Sequence, residues 1–108
     1  MKLTLLSDIN KIENAGEIVA SSLDTTITYS DAKGLELNYM RVYNTKTNIN
    51  LIKNTNKISG KKLGNNNGGY GIYFNTGIIT VGSTDSNIEN GIINSGTILG
   101  EGDYNGGG

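Results

Sequence analysis

One seven-residue phrase occurs four times in this chain of 108 residues. Each copy carries an isoleucine or tyrosine, then an asparagine, then a glycine or second asparagine, and finally an isoleucine, at every second position. A short phrase repeated along a chain indicates stacked structural units, each of which contacts only its neighbours. The copies are residues 12–18 (IENAGEI), 52–58 (IKNTNKI), 73–79 (YFNTGII) and 92–98 (IINSGTI).

The spacing of the copies sets the expected size of the unit. Asn14, Asn54, Asn75 and Asn94 follow one another at intervals of 40, 21 and 19 residues. We therefore expect a unit of about 20 residues, with one degenerate copy at about residues 21–50. This length is too short for the helix pairs of ankyrin or tetratricopeptide arrays, and the leucine-rich signature is missing. The sequence predicts an all-β parallel β-helix (β-solenoid) of roughly four to five coils.

Alternation within the phrase predicts one buried and one solvated face, because residues two apart share one side of an extended chain. The isoleucines and the asparagine share the side that we expect to point inward. At the glycine position the only substitute is asparagine, which indicates a corner with positive φ. The structural repeat residues are Asn14, Gly16, Ile18, Asn54, Asn56, Ile58, Asn75, Gly77, Ile79, Asn94, Gly96 and Ile98.

The asparagine of the phrase allows two interpretations. It could bond its own backbone as a surface Asx-turn. Alternatively, it could point inward and hydrogen-bond its copies above and below, in a ladder with the ~4.8 Å spacing of stacked strands. The alternation favours the ladder, whereas a sharp corner would interrupt the alternation, so both interpretations stay open.

The composition argues against several classes of function. Lys and Arg total 9 against 10 Asp and Glu, and no basic run is present, so we expect no nucleic-acid partner. The chain has no cysteine and no histidine, which excludes disulfides, Ser-His-Asp triads and the usual zinc spacings. The first residues lack the apolar run of a signal peptide or a membrane span, so we expect no membrane insertion by this segment.

The expected organisation is one domain. Residues 1–100 are predicted to form a single β-helix segment, and the glycine-rich residues 101–108 a frayed tail. A solenoid needs caps, and the sequence contains no amphipathic helix to supply one. We therefore expect an uncapped fragment, whose partners include further β-helix coils of a parent chain.

Few residues suggest catalytic or metal chemistry. Asp85 and Asp103 follow phrase asparagines by ten and nine residues, and adjacent coils could bring the two carboxylates together. Two solvated loop aspartates are the simpler interpretation, so we predict no catalytic residues. Residues 100–104 resemble one imperfect copy of a calcium-binding repeat, which cannot complete a site alone. We expect no cofactor and no metal.

Two of the six tyrosines stand out. Tyr73 occupies an isoleucine position of the phrase, and we expect it to fill the core. Tyr70 lies between glycines, beside an asparagine-rich stretch, and is the best candidate for an exposed contact with a sugar ring or a partner protein.

Residues 68–81 (GGYGIYFNTGIITV) and 91–100 (GIINSGTILG) resemble the passenger-domain repeats of autotransporter adhesins, particularly the fusobacterial type. The match runs from about Asn54 to Gly100. This resemblance implies a right-handed, pectin-lyase-like parallel β-helix, secreted through an outer-membrane barrel and displayed on the cell surface. Such passengers act mainly as stalks and adhesins. The matched phrases are structural, so the resemblance implies no catalytic residues.

Our leading hypothesis is a structural and adhesive module, not an enzyme. It would act as a β-helical stalk with loops that contact a host-cell or bacterial surface protein or glycan. One alternative is a carbohydrate-active β-helix of the lyase or tail-spike type, which needs acidic or basic residues stacked on one face, whereas Arg41 is the only arginine. Another is a non-adhesive intracellular or phage β-solenoid.

Overall fold

The computed structural model describes residues 1–22, 31–39, 46–63, 68–75 and 78–102. These residues form ten strands and no helix. The strands are β1 (Lys2–Leu5), β2 (Ile9–Asn14), β3 (Glu17–Ser22), β4 (Ala32–Tyr39), β5 (Thr47–Asn54), β6 (Lys57–Lys62), β7 (Gly69–Phe74), β8 (Ile79–Val81), β9 (Gly91–Asn94) and β10 (Thr97–Gly102).

The described strands belong to three sheets, and every pairing between them is parallel. The first sheet has the order β1–β4–β7 and the third the order β3–β6–β10. In the second sheet β5 pairs with β2 on one side and with both β8 and β9 on the other. The chain thus visits the three sheets in the same order three times: β1 to β3 form the first pass, β4 to β6 the second and β7 to β10 the third.

The apolar core lies between the sheets and draws on all three passes. Leu35, Leu37 and Ile49 have no exposed surface. They belong to β4 and β5, within the region that the sequence marked as degenerate; residues 23–30 and 40–45 of that region lie outside the described residues. Since the second pass is covered on both sides, its side chains are the most buried. The buried cluster is Leu5, Leu35, Leu37, Ile49, Ile52, Ile58 and Ile79.

The structural period is about twice the predicted one. Asn14 pairs with Asn54 and Asn54 with Asn94, each 40 residues further along the chain. The prediction of about 20 residues per unit and four to five units was therefore wrong; the described residues make three passes. The physical reason is that the phrase occurs at two corners of one pass, since residues 73 and 74 end β7 in the first sheet while residues 92–94 belong to β9 in the second.

Two of the sheets approach each other backbone to backbone. A Cβ atom placed on Gly60 of the third sheet would lie 2.5 Å from the carbonyl oxygen of Ala32 and closer still to that of Tyr70, both in the first sheet. A Cβ atom on Gly34 would lie 2.7 Å from the carbonyl oxygens of Gly71 and Ser59. Real Cβ atoms do not come this close to backbone oxygens, so this narrow part of the interior requires glycine.

The corner glycines do not adopt the predicted backbone conformation. Among the described glycines, positive φ occurs at Gly82 (129°) and Gly91 (86°), not at Gly16 or Gly96, and Gly77 lies outside the described residues. Gly96 is needed for a different reason: a Cβ atom there would overlap the carbonyl oxygen of Asn56 in the pass below.

Gly82 and Gly91 flank a loop that interrupts the second sheet in the third pass. β8 pairs with the first residues of β5 and β9 with its last residues, and residues 82–90 form the β8–β9 loop between them. At the far end of the third pass, Glu101 and Gly102 belong to β10 and pair with Lys61 and Lys62. The remainder of the predicted tail, residues 103–108, lies outside the described residues.

Candidate functional site

Three repeat asparagines form a hydrogen-bonded column along the second sheet. The side-chain amide of Asn14 donates to the Asn54 side-chain oxygen, and that of Asn54 donates to the Asn94 side-chain oxygen, at 2.8 Å in both cases. Each donating amide also reaches the backbone carbonyl three residues beyond its partner: Lys57 at 3.1 Å and Thr97 at 3.0 Å. The column therefore holds together three strands and the corners that follow them.

The same asparagines also form turns within their own corners. The Gly16 N–H donates to the Asn14 side-chain oxygen at 3.3 Å, and the Gly96 N–H donates to that of Asn94 at 3.2 Å. The asparagine therefore forms both the turn within its own corner and the ladder between passes, because a carboxamide has separate donor and acceptor atoms. Asn54, in the second pass, is 1% exposed and hydrogen-bonded on both sides.

Asn75 belongs to a different column. Its side-chain amide donates to the Asn38 side-chain oxygen at 2.6 Å, at the corner that follows the first sheet. Asn38 carries no copy of the phrase around it, so the repeat did not point to this residue. A signal was present, since both asparagines follow the apolar part of a strand.

The isoleucines of the phrase are only partly brought together. Ile18, Ile58 and Ile98 lie side by side in the third sheet, in register. Ile79 instead starts β8 in the second sheet, opposite Thr47. Asn56, which replaces glycine in the second copy of the phrase, lies between the corners of the first and third passes. Its backbone lies against Gly96, and its side-chain amide donates to the Ala15 carbonyl at 3.4 Å.

The tyrosine predicted to make contacts lies on the outer surface of the first sheet. The rings of Tyr70 and Tyr73 are 5.1 Å apart and tilted by 58°. The Lys33 ammonium lies 4.2 Å from the centre of the Tyr73 ring, in a cation–π arrangement. The prediction that Tyr73 fills the core was wrong; its neighbour Ile72 packs against the core instead. We call Lys33, Glu36, Tyr70 and Tyr73 the tyrosine patch.

Charges fix the geometry of the tyrosine patch. The Glu36 carboxylate accepts from the Lys33 ammonium at 2.7 Å and from the Asn38 amide at 3.0 Å, and Lys2 lies 3.8 Å away. Hydrogen bonds from Lys33 and Asn38, followed by the nearby positive charges, lower the pKa of Glu36. Burial and the negative charge of Asp31 raise the pKa of Tyr70 above its usual value near 10.

We expect this arrangement to make the fold sensitive to acid. A carboxyl group with a lowered pKa in the folded state stabilises that state above its unfolded pKa, here near 4.5, and the contribution is lost as the pH falls through the folded value. Glu36→Gln should reduce the free energy of unfolding by about 1 kcal/mol at pH 7. In urea titrations, the difference from the unmodified chain should shrink as the pH falls below 4.5 and vanish once Glu36 is protonated in the folded state.

The exposed carboxylate Glu17 provides the control for this measurement. At pH 7, Glu17→Gln should change the free energy of unfolding less than Glu36→Gln does, because Glu17 is exposed at a corner of the third sheet. A difference between Glu36→Gln and the unmodified chain that stays constant down to pH 3 would contradict the role assigned to the Glu36 charge.

A polar cleft of about 620 Å³ lies between β5 and the β8–β9 loop. Its amides are engaged with one another: the Asn48 amide donates to the Asn50 side-chain oxygen at 2.8 Å and to the Gly82 carbonyl at 3.0 Å. Asn50 in turn donates to the Asn10 side-chain oxygen at 3.2 Å. This network therefore attaches the loop to the outer face of the second sheet. The cleft is lined by Asn48, Asn50, Val81, Gly82, Ser83, Thr84 and Asn90.

The aspartates considered for catalysis are not placed together by the described residues. Asp85 lies in the β8–β9 loop, where its carboxylate accepts from the Asn87 N–H at 2.9 Å, and Asp103 lies outside the described residues. Within the described ranges, no three acidic side chains are grouped so as to hold a metal ion.

Lys62 is a buried polar residue that the sequence analysis missed. It ends β6, is 1% exposed, and its ammonium donates to the Ser22 hydroxyl at 3.1 Å. In the sequence, Lys61 and Lys62 are expected to be a solvated pair on a loop. Because side chains alternate along β6, the Lys61 ammonium points outward, 3.7 Å from the Glu101 carboxylate, and the Lys62 ammonium points inward.

In the part of the chain that the structure describes, no helix has the length and apolar character needed to cross a membrane. Comparison of the chain with protein-family models, with curated proteins and with solved structures finds no match.

Proposed function

We propose that this chain forms a right-handed parallel β-helix that serves as a structural and adhesive module of a surface-displayed autotransporter passenger. The observation that carries the proposal is the column of Asn14, Asn54 and Asn94, hydrogen-bonded in register across three passes. Such a column extends in one direction by addition of equivalent strands, as a stalk requires.

The sheet topology supports the β-helix. Three parallel sheets are visited in a fixed order, and paired strands are separated by the length of one pass. Parallel strands need a crossover connection, and here the strands of the other two sheets would supply it. Parallel crossovers are right-handed in almost all proteins, which favours a right-handed winding.

The tyrosine patch is the surface that we assign to contacts. Two half-buried tyrosine rings offer apolar surface next to fixed charges, with the Lys33 ammonium over one face of Tyr73 and Glu36 ion-paired to Lys33. Aromatic faces pack on the apolar faces of sugar rings and on protein side chains, while neighbouring charges orient the partner. The patch therefore suits a glycan or protein on a host-cell or bacterial surface.

Surface display is supported by the phrases at residues 68–81 and 91–100, which resemble those of autotransporter passengers. The absence of cysteine fits export through a narrow pore, because no disulfide can form before the chain passes through it.

Antibody labelling of intact producing cells tests this function. Antibodies raised against the purified chain should label cells without permeabilisation, and external protease should remove the label. Cells that carry Tyr70→Ala and Tyr73→Ala should be labelled equally but attach less to host cells or to other bacteria. A matched variant, Lys61→Ala on the outer face of the third sheet, should attach normally. Labelling that appears only after permeabilisation would reject surface display, and unchanged attachment of the tyrosine variant would reject the patch as the contact.

A further inference from the structure

The two ends of the stack expose residues whose counterparts in the second pass are buried. Ile52 in the second pass is 1% exposed, whereas Ile92, its in-register neighbour in the third pass, is 53% exposed. Ser59 is likewise buried between Val19 of the first pass and Leu99 of the third, both of which are exposed. For Ile52 and Ile92, which are the same residue type, the difference in exposure follows from position in the stack.

The hydrogen-bonding groups at the two ends are complementary. In the described part of the chain, the Asn94 amide donates only to the Gly96 carbonyl in its own corner. It lacks the cross-strand bonds that Asn14 and Asn54 make to the next asparagine and to the carbonyl three residues beyond it. At the other end, the Asn14 side-chain oxygen accepts within the described residues only from Gly16. One end therefore offers a donor and the other an acceptor of the same column.

We infer that the end formed by β9 and β10 binds the end formed by β2 and β3 of a second copy of this chain, head to tail. Within the chain these strands pair in register with β5 and β6, and we assume the same register between the two copies. Continued by one step, it places Asn94 against the second copy's Asn14, Leu99 against Val19 and Ile98 against Ile18. The Asn94 amide then donates to the Asn14 side-chain oxygen and to the Glu17 carbonyl of the second copy.

The charges permit this junction. Along the outer face of the third sheet, Glu17, Lys57 and Thr97 form one row, and Ser21, Lys61 and Glu101 another. The junction brings Thr97 against Glu17 and Glu101 against Ser21, so no like charges meet in these rows. Exposed strand edges pair readily unless like charges or prolines prevent it. The chain contains no proline.

The association is open-ended, because a heterologous contact between parallel strands cannot close on itself without rotation. This inference depends on the parallel register and not on surface display, so it can fail while the proposed function stands, and the reverse also holds.

Sedimentation velocity on the purified chain, from micromolar to millimolar concentration, tests the inference. The unmodified chain should form a concentration-dependent series of dimers, trimers and longer species. Two variants block opposite ends: Asn94→Ala with Leu99→Lys, and Asn14→Ala with Val19→Lys. Each variant alone should associate at least about tenfold more weakly. The hydrogen bonds of the asparagine side chain across the junction are lost, and the new lysine charge faces an apolar side chain of the second copy.

Mixing the two variants gives the decisive result. Each retains one intact end, so the mixture should form a one-to-one dimer and nothing larger, an outcome that unspecific aggregation cannot produce. Thr55→Lys, which adds the same charge to an exposed position of the second pass, should associate like the unmodified chain. A chain that stays monomeric at every concentration, or a mixture of folded variants without a dimer, would overturn the inference. Circular dichroism checks that each variant is folded, and the concentration series of the unmodified chain decides the matter even if a variant is not.

Discussion

Gly60→Ala is expected to destabilise the fold by more than about 3 kcal/mol, or to prevent folding. Gly60 lies in β6, where the third sheet meets the backbone of the first. The new Cβ atom would lie 2.5 Å from the Ala32 carbonyl oxygen and would overlap that of Tyr70. Both obstacles are backbone atoms of paired strands, so the clash is relieved only if the two sheets separate. Urea titration followed by circular dichroism measures the loss.

Gly16→Ala is the matched control, because it makes the same chemical change in another position of the repeat. No atom lies within 4 Å of a Cβ atom built on Gly16, and Gly16 does not have positive φ. We expect its free energy of unfolding to change by less than about 1 kcal/mol. Equal tolerance of both substitutions would mean that the two sheets do not approach each other as described.

The sequence supported the all-β class, stacked parallel strands and an inward asparagine column, because alternation and repetition report directly on these features. Asn14, Asn54 and Asn94 form the column that was one of the two interpretations of the repeat, whereas Asn75 does not join it. The period was not predictable from the phrase alone, because Asn75 carries the same phrase at a different corner. The same phrase can form either of two corners of a pass, and only the pairing of strands that are distant in the chain shows which corner it forms.

Of the tyrosine patch, only Tyr70 was singled out from the sequence as a contact residue, because alternation is broken within β4. Lys33 and Glu36 are three residues apart, yet they share the outer face and form an ion pair. Between them lie Gly34 and Leu35, both buried, and a Cβ atom on Gly34 would lie 2.7 Å from two backbone carbonyl oxygens. Period-two reasoning therefore assigns Tyr73 to the wrong side, since it pairs with Glu36 in the next strand. Such a break in the burial pattern leaves little trace in the sequence except the glycine itself.

Asn54→Ala should cost about 2–4 kcal/mol of unfolding free energy. Asn54 is 1% exposed, its amide donates to Asn94 and Thr97, and its oxygen accepts from Asn14. Alanine removes all three of these hydrogen bonds at a position that is almost fully buried, and each such bond contributes about 0.5–1.5 kcal/mol. Asn94→Ala, at the exposed end of the column, should cost about 1 kcal/mol or less.

A double-mutant cycle distinguishes a true column from three independent turns. If Asn14 and Asn54 interact, the loss measured for the pair Asn14→Ala with Asn54→Ala should fall short of the sum of the single losses by about 0.5–2 kcal/mol. The two residues are 40 positions apart in the chain, so only strand stacking brings them into contact. Additive losses would show that each asparagine stabilises only its own corner. Coupling between residues 14 and 54, but none between 54 and 75, would establish the 40-residue register in solution, because Asn75 bonds to Asn38 in the other column.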